Sequence, residues 1–212
     1  MTRKCLTPLF SVLVLLATAS YAAAQSDTPR AYLTAGGGMT FGNEAGGLAA
    51  AGITVAPTQH LQIIGEFGRM SNVMPKTTSD QINSAAENFT DGGTVPFTFT
   101  AAMPSTYGLG SVRVIGTERN NLAPFVDGGF GFAMVSTHLT AVQNGSDVTG
   151  QLISASDLTQ DQTKPMLSLG GGVSILTSKR SAVDIGYHYV RIFTDNQAIS
   201  TNGISAGVRV GF

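Results

Sequence analysis

Six titratable residues are each flanked by apolar, aromatic or glycine neighbours: Glu66, Arg113, Asp127, Asp184, His188 and Arg209. Carboxylates and guanidiniums in such settings pair through charge-assisted hydrogen bonds. Buried, they must pair, because an isolated charge loses its hydration. One reading is a network of ion pairs and hydrogen bonds that holds an interior shut. The other is a narrow passage gated by rearrangement of the same pairs. Both need opposite charges at similar depth, so the sequence is compatible with either.

Other chemistry has little support. His60, His138 and His188 are isolated and Cys5 is the single cysteine, so no transition-metal spacing exists. Asp80, Glu87, Asp91, Asp147, Asp157 and Asp161 are scattered without EF-hand spacing. Gly36-Gly37-Gly38 and Gly170-Gly171-Gly172 do not give G-x-G-x-x-G leading into a helix. Asn88-Phe89-Thr90 and Asn144-Gly145-Ser146 match the glycosylation pattern by chance. No catalytic set, cofactor or metal is expected.

The elements that carry the six residues alternate with a period of two. Residues 203–212 place Ile204, Ala206, Val208, Val210 and Phe212 on one face, and Ser205, Gly207, Arg209 and Gly211 on the other. Val126, Phe130, Phe132 and Met134 likewise oppose Asp127, Gly129, Gly131 and Ala133. Val183, Ile185, Tyr187 and Tyr189 oppose Asp184, Gly186 and His188. Val112 and Val114 oppose Ser111 and Arg113, and Leu61, Ile63 and Phe67 oppose Gln62, Ile64 and Glu66. Apolar-out and polar-in alternation is the signature of a transmembrane β-barrel, where a basic residue on the lipid face at the midplane costs about 2–4 kcal/mol. The six residues therefore belong to the lumen. Arg69 and Arg191 break the pattern near the outer ends of their strands, where a long side chain reaches the headgroup layer.

Eight such strands are predicted, over 31–41, 47–56, 60–70, 105–116, 123–136, 165–176, 182–193 and 203–212. The connections 57–59, 117–121 and 177–181 are short. Those over 71–104 and 137–164 are long and polar, with 42–46 and 194–202 on the same side. Short turns on one side and longer loops on the other describe an up-and-down outer-membrane barrel. A soluble eight-stranded barrel would carry its apolar face inward, the reverse of this pattern. Within the first long loop, Val95-Pro96-Phe97-Thr98-Phe99-Thr100 alternates and is expected to extend the fourth strand above the membrane.

The ends and the composition agree. Arg3 and Lys4, the apolar run 9–19 and Ala22-Ala23-Ala24 read as a signal peptide over 1–24, with Gln25 the first mature residue. That run is shorter than the roughly 20 residues a spanning helix needs. The barrel domain then occupies 25–212, without a cysteine. Charged residues make up 12% of the chain, and no basic stripe suggests nucleic acid.

Asp184-Ile185-Gly186-Tyr187-His188-Tyr189 resembles the apolar-D-apolar-G-Y-x-Y strand of small opacity-type and OmpA-like outer-membrane β-barrels. Pro124-Phe125-Val126-Asp127-Gly128-Gly129-Phe130-Gly131 is similar to their P-Y/F-x-x-x-G-x-G strand, Leu169-Gly170-Gly171-Gly172-Val173 to the strand that follows, and Phe212 to their terminal Phe. The resemblance covers most of the mature chain. It implies an all-β, eight-stranded antiparallel barrel in the outer membrane of a Gram-negative-type bacterium. It implies that the outer-membrane assembly machinery reads Phe212. It also implies outer-membrane lipids and lipopolysaccharide as surroundings.

Such barrels serve as anchors, adhesins, evasion factors and narrow pores. Some are lipid A deacylases with a His-x-Ser-Asn run. Here the run is His188-Tyr189-Val190-Arg191, without the serine. The expected role is a non-enzymatic surface, structural or adhesin-like one, exercised through loops 71–104 and 137–164 on an unidentified surface ligand. A narrow solute pore is the alternative, and a lipid A-modifying enzyme stands behind both.

Overall fold

The computed structural model describes residues 30–80, 97–143, 146–147, 161–194 and 198–212. The expected signal peptide over 1–24, loop residues Glu87, Asp91 and Asp157, the Asn88 and Asn144 sequons, and Val95 and Pro96 of the alternating stretch lie wholly or partly outside them. In chain order the strands are β1 (Ala31–Phe41), β2 (Gly46–Val55), β3 (Leu61–Met70), β4 (Phe97–Ala102), β5 (Ser105–Ile115), β6 (Leu122–Val135), β7 (His138–Gln143), β8 (Ser146–Asp147), β9 (Gln162–Ser178), β10 (Ser181–Ile192) and β11 (Ile199–Gly211).

Eight of them close a barrel in the order β1-β2-β3-β5-β6-β9-β10-β11. Every neighbouring pair is antiparallel, including β1 with β11, which runs from Tyr32 opposite Gly211 to Phe41 opposite Asn202. The strands are tilted. From Gly36 the ladder passes through Ala50, Gly68, Tyr107 and Ala133 to Lys164. The other way round it passes through Gly207 and Asp184 to Ser174 of the same strand β9. That stagger is the shear that closing a barrel requires.

Two strands differ from the sequence reading by more than one residue at an end. β11 begins at Ile199, four residues earlier than expected, because Ile199 pairs with Ile192 and turns into the interior beside Thr201. β9 runs from Gln162 to Ser178, since β6 offers partners up to Val135. At the short-turn end Asn120 and Asn121 adopt φ of 53° and 63°, a left-handed geometry that Asn tolerates best among residues with a side chain.

The hairpin of β5 and β6 continues beyond the rim. Ser105 faces Val135, Ser136 N–H donates to Pro104 O at 3.0 Å, and Ala102 faces His138 in the same register. Pro104 lacks an N–H and interrupts the ladder. β4 and β7 then carry the ribbon on to Phe97 opposite Gln143, with β8 added to β7.

The faces follow the alternation. Phe67, Val126, Phe130, Phe132, Ile185 and Val208 point outward and are exposed, while Gln62, Ser174 and Arg209 point inward and are buried. A closed barrel with an apolar exterior and a polar interior spans a membrane with strands. Among the described barrel residues, Arg69 and Arg191 are the charged side chains on the outer face.

Candidate functional site

The interior is layered. Nearest the short turns lies a belt of ion pairs. Arg113, on β5, donates from Nε and Nη2 to Asp127 Oδ2 of β6 at 3.1 and 3.0 Å, and from Nη1 to Asp184 Oδ2 of β10 at 2.6 Å. Its guanidinium lies 3.9 Å from the centre of the Phe125 ring. Arg209, on β11, donates to Gln62 Oε1 at 2.8 Å and Ser174 Oγ at 3.3 Å, with Asp184 Oδ1 3.6 Å away. Ser174 Oγ donates to Asp184 Oδ1 at 2.7 Å. Asp184 therefore receives both arginines. A guanidinium presents five donors in a rigid fork, which suits it to bridging carboxylates on separate strands.

Above the belt is a polar chamber. Glu66 accepts the Tyr107 hydroxyl proton at Oε1, 2.8 Å away. His188 Nδ1 stands 3.8 Å from Asp127 Oδ1. Between them is a cavity of about 130 Å³ lined among others by Thr34, Glu66, Ser111, Ser168, His188 and Ser205. It has room for several waters and the polar groups to hold them.

The loop end of the lumen holds an apolar cap. Met70, Val73, Ala133, Met166 and Ile192 are 0–1% exposed, with Tyr107, Val135 and Ile199 packed among them. The root of the 71–104 loop is tied into this cap. Asn72 Oδ1 accepts from Met74 N–H at 3.1 Å and Met103 N–H at 3.0 Å, while Val73 N–H donates to Met103 O at 2.9 Å. Asn43 Nδ2, just past the end of β1, donates to Ser200 O of the neighbouring strand β11 at 2.8 Å.

The structure thus brings Arg113, Asp127, Asp184 and Arg209 into one belt, with His188 on its edge and Glu66 apart with Tyr107. Phe212 continues β11 at the closing seam, its N–H bonded to Ala31 O at 3.1 Å. Gln62, Ser174, Phe125 and Tyr32 complete the belt; Arg209 lies 5.3 Å from the centre of the Tyr32 ring. Sequence reasoning did not single these out. Their inward parity was readable, but Arg209 and Gln62 are 147 residues apart and meet only because the barrel closes. Among the described residues His188 has no hydroxyl within hydrogen-bond reach, and no group of three metal-ligating side chains forms.

No protein-family model and no curated protein matches the sequence. Solved structures do. Neisserial surface protein A overlays with a TM-score of 0.57 at 16% identity, over 86% of this chain and 97% of that one. The fold is that of the small outer-membrane β-barrels. The N-terminal barrel domain of Pseudomonas aeruginosa OprF overlays over 86% of this chain and 98% of that one, at 13% identity and a TM-score of 0.45. The outer membrane enzyme PagL overlays over 85% and 99%, at 10% identity and a TM-score of 0.42. At these identities the likeness is one of architecture.

Proposed function

We propose that this outer-membrane barrel is a non-enzymatic surface protein whose lumen is a structural plug and whose specific role is adhesive, carried by loops 71–104 and 137–164. The observation that supports this best is that side chains occupy both ends of the lumen. The Arg113–Asp127–Asp184–Arg209 belt fills one end and the Met70–Val73–Met166–Ile192 cap fills the other. An eight-stranded barrel is just wide enough for side chains to fill. What is left to present to a partner is the loop side, where the β4–β7 ribbon rises and where a rigid scaffold can hold variable binding residues.

The test uses bacteria displaying the chain. Residues 81–96 are replaced by a short Gly-Ser linker, which leaves Asn72, Val73 and Met103 in the cap. Adhesion to host-cell and matrix-coated surfaces should fall to the level of cells lacking the protein, while the barrel remains folded. Undiminished adhesion, or no adhesion by the intact chain, would overturn the reading.

The second reading, a narrow solute pore, draws on the chamber beside His188 and Glu66. Planar-bilayer conductance separates the two. Silence supports the plug, and discrete reproducible openings support the pore.

A further inference from the structure

The outer surface carries a groove that the fold itself does not require. It runs along β5, floored by Gly110 and Gly108, both outward and exposed. On one side Phe130 and Phe132 of β6 stand edge to face, 5.8 Å between ring centres. On the other side are Ile63 and Phe67 of β3, with Gly65 between them opposite Gly110. The depression continues past Gly128 toward Leu169.

These glycines differ from those facing the lumen. A Cβ at Gly131 or Gly172 would collide with the backbone of the next strand. At Gly65 and Gly108 it would meet nothing within 4 Å, and at Gly110 only Phe130 O at 3.9 Å. Glycine weakens a strand, and no close approach within the barrel accounts for its use here. The three positions leave an apolar trough between exposed rings.

The trough has a charged end. Toward the loop side β5 ends its outward row at Thr106, and Thr106 is paired with Arg69 of β3. Arg69 is exposed on the face that meets lipid, and it forms no ion pair or hydrogen bond with the described residues. A guanidinium there needs an anion, and phosphate suits its fork. The other outward cation, Arg191, is arranged differently. It sits 5.6 Å over the Phe193 ring and is paired across the sheet with Leu167 and Ser200, without a glycine floor.

We propose that the β5 groove is a binding site for lipid A, the phosphorylated glycolipid of the outer leaflet. One acyl chain lies over Gly110 and Gly108 between Phe67 and the Phe130–Phe132 pair, and a phosphate rests on Arg69 and the Thr106 hydroxyl. Both parts of one amphiphile are matched, the chain by shape and the phosphate by charge. The loop-side position of Arg69 selects the outer leaflet. The inference goes beyond the adhesive role and does not depend on it.

The experiment is native mass spectrometry of the refolded barrel, released from micelles that hold equal amounts of lipid A, dephosphorylated lipid A and phosphatidylglycerol. The intact protein should retain lipid A in preference to the other two. Arg69→Gln and Gly108→Leu should each cut retention roughly tenfold, the scale of one lost charged hydrogen bond or of a blocked chain site. Arg191→Gln should not. The shift in electrophoretic mobility between folded and heated protein verifies that each variant folds. If Gly108→Leu fails to fold, Gly65→Leu replaces it, and Arg69→Gln alone still decides. Equal retention by Arg69→Gln, equal retention of the dephosphorylated lipid, or equal retention of phosphatidylglycerol would each overturn the proposal.

Discussion

Asp127 and His188 meet over Gly170. They sit on β6 and β10, and the strand between them, β9, places Gly170 opposite both. A Cβ at Gly170 would collide with the His188 imidazole and the Asp127 carboxylate together. Glycine is therefore what allows the two side chains to approach to 3.8 Å across an intervening strand.

Gly170→Ala should accordingly act as overpacking, costing about 1–3 kcal/mol. The chain has no Trp, so unfolding in urea is followed by circular dichroism. The midpoint should fall, and adding His188→Ala should restore much of it by giving the new methyl group room. An unchanged midpoint for Gly170→Ala would mean that the His188 ring lies elsewhere.

Arg113→Ala should be more damaging. It leaves Asp127 and Asp184 facing each other without the guanidinium that bridges them. Removing one partner of a buried pair costs about 3–5 kcal/mol, whereas replacing the whole set with neutral groups of similar volume is often neutral or stabilising. Arg113→Met with Asp127→Asn and Asp184→Asn should thus unfold at a higher urea concentration than Arg113→Ala alone. Arg209→Ala should lie between, because it leaves the Gln62 amide without its partner while Ser174 and Arg113 still hold Asp184.

The eight strands and their faces were legible in the sequence for a plain reason. A barrel imposes one rule on every residue, lipid or lumen, and the rule repeats every second position. Arg113, Asp127, Asp184 and Arg209 were therefore assignable to the interior without knowing which pairs they form. Which partner each takes depends on the stagger of the barrel, as with Arg209 reaching Gln62, and no local pattern encodes that. The cap was harder to read. Met70, Met166 and Ile192 look like ordinary strand-end hydrophobics, and Val73 lies past the end of β3. Only closure brings them to one plug.

Two barriers in series make a prediction about conductance. Opening the cap with Met166→Gly should leave the belt in place, and removing Arg113 and Arg209 should leave the cap. Neither change alone should pass ions in a planar bilayer. All three substitutions together should give steady conductance, provided circular dichroism shows the barrel intact. Conductance from either single opening would mean that the other barrier does not seal. Conductance in the unaltered protein would favour the pore reading.

Asn72 couples the barrel to its longest loop. Its Oδ1 accepts two backbone N–H groups, from Met74 and Met103, and so ties the two ends of the 71–104 loop to one atom beside the cap. Asn72→Ala leaves both N–H groups without that acceptor, at about 1–3 kcal/mol for a buried unsatisfied group. Val73, fully buried between them, loses its anchor but not its packing. The effect should be local, since the β3–β5 ladder begins below, at Met70 opposite Ser105. Hydrogen exchange at residues 72–74 and 103 should quicken by roughly tenfold or more, the factor that 1.4 kcal/mol represents. Exchange along β5 and β6 should not change. Faster exchange throughout the barrel would show instead that the Asn72 tie is part of the global fold and that the loop root and the strands open together.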